Sequence, residues 1–403
     1  MTVELVSLGS LTVPLLLALA LAVRHLDLDM VDEKALAIVT ASGAISAMIA
    51  APVLGAMSDR TRHRGGGRAA WMLGGVVGGV LALFWLTRAS SLAELTAAWC
   101  LAQFAYNSTF AALYGLIGDH TDERDRSHVS GLFGAAAVGS VVVAMGCAAV
   151  LPKNVTALVL PFPSIAVVVA LGAFFVLRRF ADAPVSTTTS VRAALRGQHQ
   201  FWLIWVQRLL GQLAYCVVTS FGLYFLIRRV DLGEERAATW VAGTTAVAGL
   251  LSAVASIVAG RIARRRSYVP FIVVAMTALA AGSLVKAFGD DLQAYVVATM
   301  LVAAAIGCYY AVDLALVLRS VPSGSAGRFL GVFNIARTLP QSLAPAVAPL
   351  ILAWGDGDPI GDSSQNYFAL YVVGALVAVV ALTTLPWTTS ARHAVDSEAA
   401  DIR

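Results

Sequence analysis

The chain has 403 residues, 59% of them hydrophobic and 13% charged, with a formal net charge of +4 and a mean hydropathy of +0.79. A soluble domain carries about 25% charge, so this composition excludes a water-soluble fold of this length and leaves lipid as the solvent that fits. No basic arm with interleaved aromatic residues occurs, which excludes nucleic acid as a partner.

A helix needs ~20 apolar residues to cross a bilayer. That rule predicts spans near Leu5–Val23, Ala35–Met57, Ala69–Leu86, Leu92–Gly118, Val129–Leu151 and Thr156–Leu177. A polar stretch from Arg178 to His199 follows. Six more spans are predicted at Phe201–Ile227, Ala237–Ala259, Val269–Phe288, Leu292–Leu318, Phe329–Trp354 and Tyr367–Trp387. The stretch before the first apolar run carries Glu4 and no Lys or Arg, which argues against a signal peptide. The expected fold is an all-α membrane protein with twelve transmembrane helices in two pseudo-symmetric six-helix bundles. The bundles are placed at 1–178 and 200–388, with a linker at 179–199 and a tail at 389–403.

With the N-terminus placed inside, 18 of the 28 Lys and Arg residues fall in inside loops and the tail. Eight, Lys286 among them, fall in outside loops, and Arg208 and Arg337 lie within spans. The positive-inside rule then puts both termini in the cytoplasm of a multi-pass protein of the cell membrane. The halves repeat each other weakly: Gly131-Leu132-Phe133 echoes Gly331-Val332-Phe333, and Tyr106 to Asp119 resembles Tyr309 to Pro322 in spacing. Two repeats around a midplane site are the layout of a transporter whose halves rock.

Between spans two and three the chain reads Gly55-Ala-Met-Ser-Asp-Arg-Thr-Arg-His-Arg-Gly-Gly-Gly-Arg68. This resembles the signature loop of the major facilitator superfamily. The fuller wording, with Asp59, Arg60, Arg62, Arg68 and then Trp71, is similar to the glycoside–pentoside–hexuronide cation symporters and the related sucrose transporters. Val312-Asp313-Leu-Ala-Leu-Val317, Leu330-Gly-Val-Phe-Asn-Ile-Ala-Arg-Thr-Leu-Pro-Gln341 and Ala344-Pro345 look like the same branch. The resemblance covers most of the chain and implies secondary transport by a symporter, with Asp59 and Arg62 in a gating loop. The mirror loop carries Arg264 where Asp59 stands, and the Gly-Lys-Asp-Leu-Gly wording usual after span ten reads Gly327-Arg328-Phe329-Leu330-Gly331 here. The melibiose-type symporters place cation-binding acids in spans two and four. This chain has none deep in either span, so a proton or no coupling ion at all is expected rather than sodium.

Arg208, Asp313 and Arg337 are read as the charges within the membrane, all at one depth by the rise of 1.5 Å per residue. A lone charge at mid-helix costs ~2.5–3.5 kcal/mol, so Asp313 is expected to pair with Arg208 or Arg337, and spans one to six are expected to offer no other buried acid. Helical spacing puts Arg208, Gln212 and Tyr215 on one face, Tyr309, Tyr310 and Asp313 on another, and Asn334, Arg337 and Gln341 on a third. In the first half Gln103, Tyr106, Asn107 and Tyr114 share a face of span four. Amides and hydroxyls beside tyrosine rings suit a sugar or glycoside, and the same groups also serve as helix–helix glue. The expected binding residues are Gln103, Tyr106, Asn107, Gln212, Tyr215, Tyr309, Asn334 and Gln341. The expected coupling and gating residues are Asp59, Arg62, Arg208, Asp313 and Arg337.

Cys100, Cys147, Cys216 and Cys308 lie in apolar runs without metal-ligand spacing, and they read as small core hydrophobes. No metal and no cofactor is expected. Three alternatives stay open: an exporter of amphipathic drugs or metabolites, a lipid-modifying membrane enzyme, and a transporter-like scaffold. Span five lacks the Gly-Pro pair of drug antiporters, and the chain lacks GxSxG and HExxH. The leading expectation is a monomer that moves a small polar organic solute through the bilayer by alternating access, with a proton as candidate coupling ion.

Overall fold

A computed structural model describes residues 1–61, 67–120, 126–178, 199–263, 268–319, 326–361 and 363–385. Helices follow one another in the order α1 (Thr2–Val13), a π turn (Pro14–Ala18), α2 (Leu19–His25), α3 (Asp32–Thr61), α4 (Gly67–Leu86), α5 (Leu92–His120), α6 (Arg126–Val150), α7 (Val155–Val159) and α8 (Pro161–Leu177). Then come α9 (His199–Thr219), α10 (Gly222–Arg228), α11 (Glu234–Ala263), α12 (Val269–Phe288), α13 (Leu292–Arg319), α14 (Ala326–Leu352) and α15 (Tyr367–Thr383). Eight helical stretches among the described residues are long and apolar enough to cross a membrane. Taking the interrupted helices together, the chain makes twelve spans.

Three spans that read as continuous in sequence are interrupted. Span one carries the π turn that starts at Pro14; proline lacks the N–H that would bond four residues back, and such insertions widen a helix locally. Span six breaks between α7 and α8, where Pro161 and Pro163 open the second piece. Span seven breaks at Ser220–Phe221. There the hydroxyls of Thr219 and Ser220 donate to the carbonyls of Tyr215 and Cys216, a local bond that competes with helix continuation.

The chain divides into two compact units: Met1–Ser186 with Leu232–Gly249, and Thr187–Asp231 with Leu250–Arg403. In the first unit α5 packs along α3 and α4, and α1 packs along α6 and α8. Ser108 and Thr109 of α5 donate to the carbonyls of Trp71 and Met72 of α4. Gly79 admits the Tyr106 ring, since a Cβ there would collide with it. At the end of α2, Arg24 and His25 both contact the carboxylate of Glu234, at 2.7 and 3.2 Å.

In the second unit α12 packs along α13 and α15, and α9 along α14 and α15. Cys308 of α13 lies 3.6 Å from the carbonyl of Phe271 on α12. Ser108 and Trp71 stand in the same relation in the first unit, and both pairs are separated by 37 residues. Trp71 maps to Phe271 and Ser108 to Cys308, so the two repeats run in register at the spacing of the Gly131 and Gly331 echo. In that register Thr109, not Tyr106, is the counterpart of Tyr309. Apolar side chains such as Val168, Phe175, Val247, Val254, Val274 and Leu376 cover the outward faces, as helices bathed in lipid require.

Candidate transport site

The second unit gathers its polar side chains at one level. On α9, Gln207 is followed by Arg208, and Gln212 lies one turn on; all three are buried. On α13, Tyr309 and Asp313 are buried one turn apart. Arg208 Nη1 lies 2.5 Å from Asp313 Oδ2, joining the two helices by an ion pair with side chains 9% and 4% exposed. Tyr309 donates to Gln207 Oε1 at 2.9 Å, and Tyr310 donates to Gln212 Oε1 at 2.8 Å. Gln212 Nε2 in turn points at Cys216 Sγ, 3.9 Å away. Gln207, Arg208 and Gln212 of α9 thus each meet a polar complement on α13, as a low-dielectric interior favours.

Arg337 takes a different position. It is exposed, and its guanidinium lies over the Tyr310 ring, 5.8 Å from the centroid. Of the two arginines expected as partners of Asp313, Arg208 is the one in contact. Gln341, one turn beyond Arg337, is also exposed, and Tyr215 is half-buried. Asn334 lies within α14, with its side chain outside the described residues. Gln207 was absent from the expected set; its place beside Arg208 on the polar stripe was the available signal.

In the first unit, Asn107 Nδ2 donates to the carbonyl of Gln103 at 2.8 Å, and both residues are half-buried. Tyr106 is fully buried against Gly79, a helix-packing position. Asp59 belongs to the last turn of α3, which runs to Thr61, rather than to a loop. Its side chain, like the whole of Arg62, lies outside the described residues. An apolar recess of about 330 Å³ between α3, α4 and α5 is lined by Leu54, Trp71, Gly74 and Phe104, with no charged side chain among the described residues that line it.

Three expectations need correction. Spans one to six do hold buried acids: Glu4 is 2% exposed and Glu33 fully buried. Both sit in a first helical turn, where the positive end of the helix dipole favours a carboxylate. Cys147 is exposed, and of the four cysteines only Cys216 is buried. Lys286, counted with an outside loop, is 3% exposed in the last turn of α12.

Lys286 Nζ donates to the carbonyl of Val218 at 3.0 Å and lies over the rings of Tyr295 and Tyr371, 4.8 and 5.4 Å from their centroids. Beside it Arg229 donates to the carbonyl of Ala287 at 2.7 Å and lies 3.5 Å from the carboxylate of Asp358. Asp358 comes from the segment joining α14 to α15. Burial pushes its carboxyl above the ordinary carboxylate range, against the opposing pull of Arg229. Burial also lowers the Arg229 guanidinium.

Among the described residues, no group of three or more His, Cys, Asp or Glu is placed to hold a metal. A family profile described as Major Facilitator Superfamily matches residues 5–345. Solved structures similar to this chain include a bacterial homologue of the human lysosomal transporter Spinster, in an inward-facing and unoccupied conformation. It is 14% identical at a TM-score of 0.65, and the match covers 96% of this chain and 93% of that one. Another is the nucleoside transporter NupG, 12% identical at a TM-score of 0.71, covering 96% of this chain and 97% of that one. No curated protein matches the chain by sequence. At these identities the structural neighbours speak for the fold, and the profile, which spans most of the length, speaks for the family. The chain belongs to the Major Facilitator Superfamily: it is a multi-pass membrane transporter and not an enzyme.

Proposed function

We propose that this transporter carries a small polar organic solute, sugar- or glycoside-like, by alternating access, with the second-unit cluster forming part of the solute site. The observation that carries this reading is the paired tyrosine–glutamine bonding beside the buried Arg208–Asp313 ion pair. Amides and phenols that already exchange hydrogen bonds can exchange them with the hydroxyls of a solute at little cost. A site built to bond hydroxyls also rejects analogues that lack them. Tyr215, Tyr309, Gln212 and Gln341 of the second unit, and Gln103 and Asn107 of the first, are the proposed solute-facing residues. Tyr106 is left with helix packing, and Asn334 is retained by its stripe alone.

Asp313 is the proposed proton carrier and Arg208 its counter-charge. Separating the pair during transport would leave a buried carboxylate alone, and a proton restores neutrality. Asp59, with Arg62, is the proposed gating latch. An acid in the last turn of α3 faces the negative end of the helix dipole, an unfavourable place that basic partners would offset. We further propose the glycoside and sucrose branch, a monomer, both termini in the cytoplasm of the cell membrane, bundles at 1–178 and 200–388, a linker at 179–199 and a tail at 389–403.

The test is a thermal-shift screen of the purified chain against sugars, glycosides, nucleosides and lipophilic cations. A ligand of the folded state stabilises it by RT ln(1 + [L]/Kd). Stabilisation by hydroxylated solutes is the expected result. A response to lipophilic cations alone would instead favour export of amphipathic compounds, for which the apolar recess beside Trp71 and Phe104 is the supporting feature.

A further inference from the structure

The charges of the second-unit cluster do not cancel. Asp313 carries one negative charge and is engaged by Arg208, which leaves Arg337 as a surplus cation. Among the described residues no carboxylate pairs with Arg337; its contact is the face of Tyr310, whose hydroxyl is committed to Gln212. The aromatic face holds the guanidinium without neutralising it, so its N–H donors are left for another acceptor.

Its depth says what that acceptor meets. In the 27-residue helix α14, Arg337 lies roughly 16 Å from one end and roughly 22 Å from the other. That is too deep for the side chain to reach a headgroup layer around a ~30 Å hydrocarbon core. An exposed arginine at that depth faces water rather than lipid, since lipid there costs ~2.5–3.5 kcal/mol or more. Gln341 extends the same exposed face by one turn.

We infer that Arg337 is an anion anchor, and that the transported solute carries an oxyacid group, carboxylate or phosphate, beside its hydroxyls. This rests on reading the cluster as the solute site. The planar fork of a guanidinium matches both groups in a two-point contact. Arg208, buried and engaged, keeps its role as counter-charge to Asp313.

The experiment compares gluconate, glucose 6-phosphate, glucose and dodecyl phosphate as thermal-shift ligands. The full-length purified protein is used as wild type, Arg337→Gln and Arg337→Lys, at fixed ionic strength. Gluconate or glucose 6-phosphate should stabilise the wild type at lower concentration than glucose, and whichever does so names the acid. Arg337→Gln should weaken the acid by about tenfold or more and remove its advantage over glucose, while Arg337→Lys keeps part of the preference. Since Arg337 is exposed, the unliganded melting point should barely move; if Arg337→Gln nevertheless unfolds, Arg337→Lys carries the comparison. Equal binding of acid and neutral sugar in all three proteins would overturn the anchor and leave the sugar reading standing. Arg337-dependent binding of dodecyl phosphate alone would uphold the anchor and remove the sugar reading. An absence of any acid binding to the wild type overturns the inference.

Discussion

Lys286 Nζ donates to the carbonyl oxygen of Val218 at 3.0 Å, two residues before span seven is interrupted between α9 and α10. A break in a membrane helix frees carbonyls that only another protein group can satisfy. Here a lysine from α12 supplies the donor, and the rings of Tyr295 and Tyr371 cover its charge. Lys286→Met keeps the stem but takes the donor from the Val218 carbonyl, and it should cost about 1–3 kcal/mol. Lys286→Glu sets an acceptor against the Val218 acceptor and should cost several kcal/mol. Melting points in detergent decide; equal loss in both variants would show that the lost donor matters and the added acceptor does not.

The Arg208–Asp313 pair should behave as a unit. Removing one partner from a buried pair costs about 3–5 kcal/mol, because the other charge is stranded. Arg208→Gln should therefore destabilise more than the double variant Arg208→Gln/Asp313→Asn, and a double-mutant cycle measures the coupling. Asp313→Asn should abolish pH-driven accumulation in proteoliposomes and leave counterflow exchange intact, since exchange moves no net proton. Persistence of both activities would mark the protein as a facilitator.

Glu234 offers a contrast. Its contacts to Arg24 and His25 lie at half-exposed side chains, where an ion pair contributes about 0–1 kcal/mol. Glu234→Gln should shift the melting point by no more than a few degrees, and added salt should erase most of the difference. A loss comparable with that of Arg208→Gln would contradict this ranking.

Asp358 gives a pH dependence with a definite sign. Its folded pKa lies above the ordinary carboxylate value, so the folded state binds the proton more tightly than the unfolded chain. The associated stability is fully present below the unfolded pKa and is lost as pH rises through the raised one. The difference in melting point between wild type and Asp358→Asn should therefore move in favour of wild type as pH falls from neutral towards 4. A difference that moves the other way would mean that Arg229 dominates and holds the carboxyl low.

Asp59→Asn should slow transport while leaving expression and ligand-induced stabilisation unchanged, as expected of a latch and not of a binding residue. Unaltered rates would remove Asp59 from the gate.

Composition alone determined the solvent, and with it the fold class, because 59% apolar residues can be accommodated only where the outer surface meets lipid. Apolar run length placed the twelve spans, since each must cover the same hydrocarbon thickness. Helical spacing also sorted Arg208, Gln212, Tyr309, Asp313 and Arg337 onto polar stripes, a property of single helices that needs no partner. Which stripes face each other is set by helix rotation and register, and only the tertiary structure decided those. It gave Asp313 to Arg208 and not Arg337, brought Gln207 to Tyr309, and turned Tyr106 into a gap against Gly79. The interruption of span seven was illegible for the same reason: its cost is met by Lys286, 68 residues away from Val218, and no local window contains both.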